Sequence, residues 1–167
     1  ESYGGGTRRD ATLRMLAAEA SSRRDHDEAA AALMSIGEDR WTPADRTNLA
    51  KCWQQLDRSH VAVQVLEAAQ AAGALSDEGA MLLFALHTEV RRKRDVAGAL
   101  EAGAGDLPET AAALRLTEAL AIYRDALGDD DGVWRVQRKL ARLTGGGSDA
   151  QIVEQGPETT GRWRNTE

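Results

Sequence analysis

The chain has 167 residues, enough for one domain or a short stack of repeats, and its 21 Lys and Arg stand against 27 Asp and Glu for a formal charge of −6. That balance argues against a general nucleic-acid binder, which needs a cationic surface to displace counterions from phosphates. The single cysteine, Cys52, rules out an intrachain disulfide, and no apolar run approaches the roughly 20 residues that span a bilayer.

Hydrophobic residues make up 42% of the chain but aromatic ones only 4%, so a core must be built from Ala, Leu and Val. With 29% charged residues and three prolines, the composition favours helix over strand. Ala- and Arg-rich usage fits a GC-rich bacterial gene. Glu1 in place of a methionine, without a signal-like segment, reads as an excised or processed piece. The compartment, cytoplasmic or periplasmic, stays open.

Residues 1–9 read as an N-terminal tail. The first amphipathic stretch is "TLRMLAAEA" (12–20), followed by "DHDEAAAAL" (25–33), where Asp25 and Glu28 form an acidic variant of a capping box. Trp41 precedes the next helix as a candidate hydrophobic staple. Thr42 can cap that helix, with Pro43 in its first turn and Asp45 three residues after the cap.

"TNLAKCWQQL" (47–56) then leads into "RSHVAVQVL" (58–66). Ser76 can cap the following helix, which Asp77 and Glu78 open on the favourable side of its dipole. "AMLLFALHTEV" (80–90) is followed by "RDVAGAL" (94–100), and "LRLTEALAIYRDAL" (114–127) by "GVWRVQRKL" (132–140), with Gly128 turning the chain between the last two. Gly98, Gly103 and Gly105 should loosen the third unit. No segment alternates at period two for long enough to be a strand. The expectation is eight helices in four antiparallel pairs.

These segments repeat. Met15, Leu49 and Leu83 are spaced by 34 residues, as are Leu16, Ala50 and Phe84. In "NLAKCWQQLDRSHVAVQVLEAA", Leu49, Ala50, Trp53, Ala62, Leu66 and Ala69 take the large and small apolar places of two paired helices. Leu16, Ala17, Ala29 and Leu33 do so in the first unit. On these residues the chain resembles the tetratricopeptide repeat family over residues 10–143, with one specific unit, one fair unit and two degenerate ones. Phe84 and Ala85 leave the third unit two registers, and Trp134 stands beside a place expected to be small. The resemblance implies an all-α, right-handed superhelical solenoid of about four helix pairs, with 144–167 as a glycine-rich linker and C-terminal tail. In either case a lone pair cannot bury its apolar stripe, so neighbouring pairs must stack.

No constellation carries catalysis. His26 and His60 fall at inter-helix turns and His87 inside a helix, too few and too scattered for a zinc set, and Cys52 has no evident base. "GDDDG" (128–132) lacks the spacing of a calcium loop and reads as a capping turn. "RRKR" (91–94) reads as a solvated turn at a helix C-terminus. The glycines near both ends lack a P-loop lysine. The chain is expected to be no enzyme and to need no metal or cofactor.

The family resemblance implies a concave groove lined by the first helix of each pair, and a protein or peptide partner within it. The residues carried over are Arg14 and Ser21, then Thr47, Lys51 and Gln54, then Leu82, Leu86 and Glu89, then Glu118, Ile122 and Asp125. The family's carboxylate clamp does not transfer: Asn48 and Arg14 suit two places, but Gly79 and Leu83 stand where cations are required. Trp163, flanked by arginines in "TGRWRNTE", could dock the tail onto a groove or neighbour. The principal expectation is an interaction scaffold. The alternative is a structural, periplasmic segment, similar to the alanine-rich arrays of bacterial outer-membrane exporters and phage-adsorption proteins.

Overall fold

A computed structural model describes residues 4–145. The expectations for 146–167, including docking through Trp163, concern residues outside that range. Among the described residues there is no strand, and the fold is all-α. Seven α-helices follow in order: α1 (Gly4–Ser22), α2 (His26–Met34), α3 (Pro43–Gln55), α4 (Ser59–Ala71), α5 (Asp77–Gly103), α6 (Glu109–Ala121) and α7 (Asp130–Thr144). A 3₁₀ turn at Glu38–Arg40 precedes α3, and α6 runs on into a π-helical turn, Ile122–Leu127. α1 begins inside the segment expected as a tail, and its buried Asp10 is held by Arg40 at 3.1 Å.

The helix starts follow their chemistry. Thr42 and Asp45 form a complete reciprocal capping box on α3, behind Pro43. Ser76 caps α5 by accepting from Gly79 N–H, and Asp129 caps α7 by accepting from Gly132 N–H. At α2 only half the expected box forms. Asp25 accepts from Glu28 N–H, but the Glu28 carboxylate is taken by Arg23 at 2.6 Å. Trp41 is no hydrophobic staple either, because the side chain over its ring is the Arg46 guanidinium, 5.8 Å from the centroid.

At four of its reversals the chain uses one repeated device. Arg24, Asp57, Gly73 and Gly128 all have positive φ. After each, the next amide donates back to a carbonyl one turn inside the helix: Asp25 to Ala20, Arg58 to Trp53, Ala74 to Ala69 and Asp129 to Tyr123. Left-handed backbone at these points satisfies the last carbonyls and folds each helix onto its predecessor.

The third pair does not exist. Residues 77–103 form one continuous helix, so the described residues hold seven α-helices where eight were expected. "RRKR" contains no proline or cap, and Lys93 has a structural task that holds it within the helix. Its ammonium meets Glu89 one turn back at 2.6 Å, Asp57 at 2.6 Å and Ser59 Oγ at 3.0 Å. The expected solvated turn is therefore corrected to a helix interior whose lysine anchors α5 to the start of α4.

Three apolar clusters stack along the molecule. Ala17, Ala20, Ala29, Leu33, Ile36 and Leu49 join α1, α2 and α3. Ala50, Ala62, Leu66, Leu83 and Leu86 join α3, α4 and α5. Ala97, Ala112, Leu116, Ala119, Tyr123 and Val136 join α5, α6 and α7. Alanines let the helices approach closely, and burial of the leucines supplies the larger apolar gain. α3 belongs to the first and second clusters and α5 to the second and third.

Candidate functional site

An open cleft of about 810 Å³ is bounded by α1, α2 and α3. Its floor is apolar, from Ala17, Leu33 and Cys52, and its rim is polar, from Ser21, Asn48, Lys51 and Gln55. The small residues of α1 create the space, since the Ala17 and Ala18 side chains leave the facing helix unfilled. This combination of an apolar base with a few polar edge groups is that of a binding cleft.

The wall of the cleft is electrostatically fixed. Arg14 donates through Nε and a terminal nitrogen to the Asp45 carboxylate, at 3.0 and 2.8 Å, and to the Arg40 carbonyl at 3.2 Å. Burial raises the Asp45 pKa, but hydrogen bonds from Arg14 and Thr42 outweigh it and leave the carboxyl below its ordinary value. Arg14 is thereby committed to positioning α3 against α1. Lys51 Nζ meets Glu78 at 2.6 Å in an exposed pair at the mouth of the cleft, of the kind that contributes little to stability. Cys52 is buried at the base, and burial pushes its thiol pKa up, partly opposed by a hydrogen bond with Ser21.

Of the residues expected to line one long groove, Arg14, Ser21 and Lys51 share this cleft. Thr47 does not face it. It is 1% exposed, donates to the Pro43 carbonyl at 3.0 Å and meets Ser76 Oγ at 3.1 Å, at the junction of α3 and α5. Leu86 is fully buried in the second apolar cluster. Both assignments are corrected for the same reason: α5 packs across α3 where an open face was expected. Leu82 is half-buried beside that cluster. Gln54 and Glu89 bond to each other. Glu118 is exposed on α6, Ile122 packs beside the third cluster, and Asp125 pairs with Arg124 at 2.8 Å. These last three lie in the α6 and π segment, outside the residues that form the cleft.

The sequence reading misses His26, Asn48 and Gln55 as cleft residues, and places Asn48 only in a carboxylate clamp that does not transfer. It also misses an exposed apolar pair on α5, Met81 at 70% and Phe84 at 77% exposed. The two registers that Phe84 and Ala85 leave open for the large and small places are the available signal, and neither residue is buried. Because the chain does not turn back after residue 90, no second helix of a third pair covers this side of α5.

Among the described residues, no group of three metal-ligating side chains converges, and no helix is long and apolar enough to cross a membrane. No family model matches the chain, and neither a curated protein nor a solved structure matches it significantly.

Proposed function

We propose that this protein is a protein-interaction scaffold, of the helical-repeat kind that tetratricopeptide arrays represent, and that it holds a segment of a partner protein in the cleft between α1 and α3. The observation that supports this reading is the cleft itself: about 810 Å³, open, apolar at the base and polar at the rim. An apolar side chain of the partner fits over Leu33 and Cys52. Asn48 and Gln55 suit its backbone amides, and Lys51 can exchange Glu78 for a partner carboxylate. No catalytic step is assigned to these groups.

The test is a crosslinking pull-down from source-cell extract with wild type and an Ala18→Arg variant, whose long side chain fills the cleft from an exposed helix position. Unchanged helicity and melting temperature establish that the variant is folded. A protein captured by wild type and lost from the variant supports the scaffold. The same set captured by both, or none by either, favours a structural segment of a larger assembly, the reading in which the array serves as a spacer.

A further inference from the structure

A second surface stands apart from the cleft, at the far end of the molecule, and its charges do not balance. Arg135, Arg138, Lys139 and Arg142 recur along α7 at helical spacing and form a continuous cationic stripe. Only one described carboxylate answers them. Glu101 of α5 takes Arg135 at 2.9 Å and Lys139 at 2.8 Å. Arg138 lies over the Trp134 ring, 5.3 Å from its centroid, and neither Arg138 nor Arg142 has an acidic partner among the described residues. The helix dipole accounts for a cation in the last turn, as at Arg142, but not for Arg135 and Arg138 further inside. Among the described residues the four cations of this stripe thus share a single carboxylate.

Beside the stripe is a cleft of about 330 Å³ between the ends of α5, α6 and α7. Lys139 and Arg142 form its edge, and Ala104, Leu116 and Leu143 its apolar base. Trp134, 54% exposed, extends the apolar surface on the other side of the stripe.

We infer that this face of α7 docks an acidic segment of a partner protein, with one apolar side chain in the small cleft and carboxylates on either side of it. From Arg138 to Arg142 the stripe covers about 6 Å of helix, which an extended peptide crosses in roughly two residues. Carboxylates at that spacing meet the unpaired arginines while the intervening side chain fills the cleft. Polyanions fit less well. Neither a nucleic acid nor an anionic lipid headgroup supplies an apolar side chain for the Leu116–Leu143 base.

The experiment is fluorescence anisotropy of a fluorescein-labelled peptide in which one Leu is flanked on each side by Asp residues, titrated with the whole chain. Saturable binding is expected, weakened about tenfold by Arg142→Glu and by Arg138→Glu. It is also weakened when the peptide Leu is replaced by Ser. Both arginines are exposed, so circular dichroism melts of the variants should match wild type. Absence of saturable binding, or binding unaltered by both charge reversals, overturns the proposal. So does tighter binding to single-stranded DNA or to phosphatidylserine vesicles than to the peptide.

Discussion

Gln54 Nε2 donates a hydrogen bond to Glu89 Oε2 at 2.8 Å, and this bond ties the end of α3 to the middle of α5. The same carboxylate accepts from Ser59 Oγ at 2.7 Å and pairs with Lys93 at 2.6 Å. Glu89 is thus the point where three helices are fastened, although its position on α5 marks it only as one polar residue among several.

Removing that hub should cost more than removing any one spoke. Glu89→Ala leaves Lys93 and Ser59 short of a partner and is expected to lower stability by about 2 kcal/mol, whereas Gln54→Ala should lower it by about 1 kcal/mol or less. Urea denaturation of both variants checks this. Equal losses would show that the hydrogen bonds around Glu89 do not act together.

Acid should loosen the junction of α5 and α7 through Glu101. Burial raises the pKa of this carboxyl, but hydrogen bonds from Arg135 and Lys139 dominate and lower it from the ordinary 4.5 to about 2. A carboxyl whose folded pKa is depressed contributes its full stability above the unfolded value and loses it as pH falls through the folded one. The contribution is therefore complete above about pH 4.5 and fades towards about pH 2. Glu101→Gln should melt below wild type near pH 7, with the gap narrowing at about pH 3. A gap of constant size across thermal melts at the two pH values would contradict this.

Two glycines in helices should respond to alanine with opposite signs. A Cβ at Gly98 would meet nothing within 4 Å, so Gly98→Ala should stabilise α5 by roughly 0.5–1 kcal/mol and slow amide exchange around it. A Cβ at Gly132 would come within 2.5 Å of the Tyr123 ring, so Gly132→Ala should destabilise by about 1–3 kcal/mol. Calorimetric melting temperatures of both variants give the comparison.

Cys52 should resist thiol reagents in the folded protein. It is 3% exposed and its pKa is raised by burial, so the reactive thiolate is scarce and hard to reach. Ellman's reagent should label it slowly in buffer and completely in urea. Rapid labelling without denaturant would mean that the base of the α1–α3 cleft opens far more often than its packing implies.

Much of the local structure was legible because it is written in short-range chemistry. Thr42 before Pro43, Ser76 before Asp77 and Gly128 before Asp129 mark helix ends through backbone hydrogen bonds that need only nearby residues. The alanine-and-leucine pattern from Ala17 to Leu66 likewise identified buried faces. Thr47 and Lys93 were misjudged because their surroundings are distant in sequence. Thr47 meets Ser76 and Lys93 meets Asp57, and no local pattern announces either encounter. The cleft was half legible: Arg14, Ser21 and Lys51 came from the register that the family resemblance implies, while His26 enters from the start of α2, beyond the reach of a first-helix rule.

The continuous α5 has a consequence for how this molecule can be divided. When every reversal falls in a loop, units can be added, deleted or exchanged without severing a helix. Here any cut between Asp77 and Gly103 severs one. A fragment beginning after Ala97 would also strip the third cluster of that residue and bare the core of α6 and α7. α5 is a spine of about 40 Å with α3 and α4 on its first half and α6 and α7 on its second. Such a protein changes by substitution along its length more readily than by gaining or losing a module.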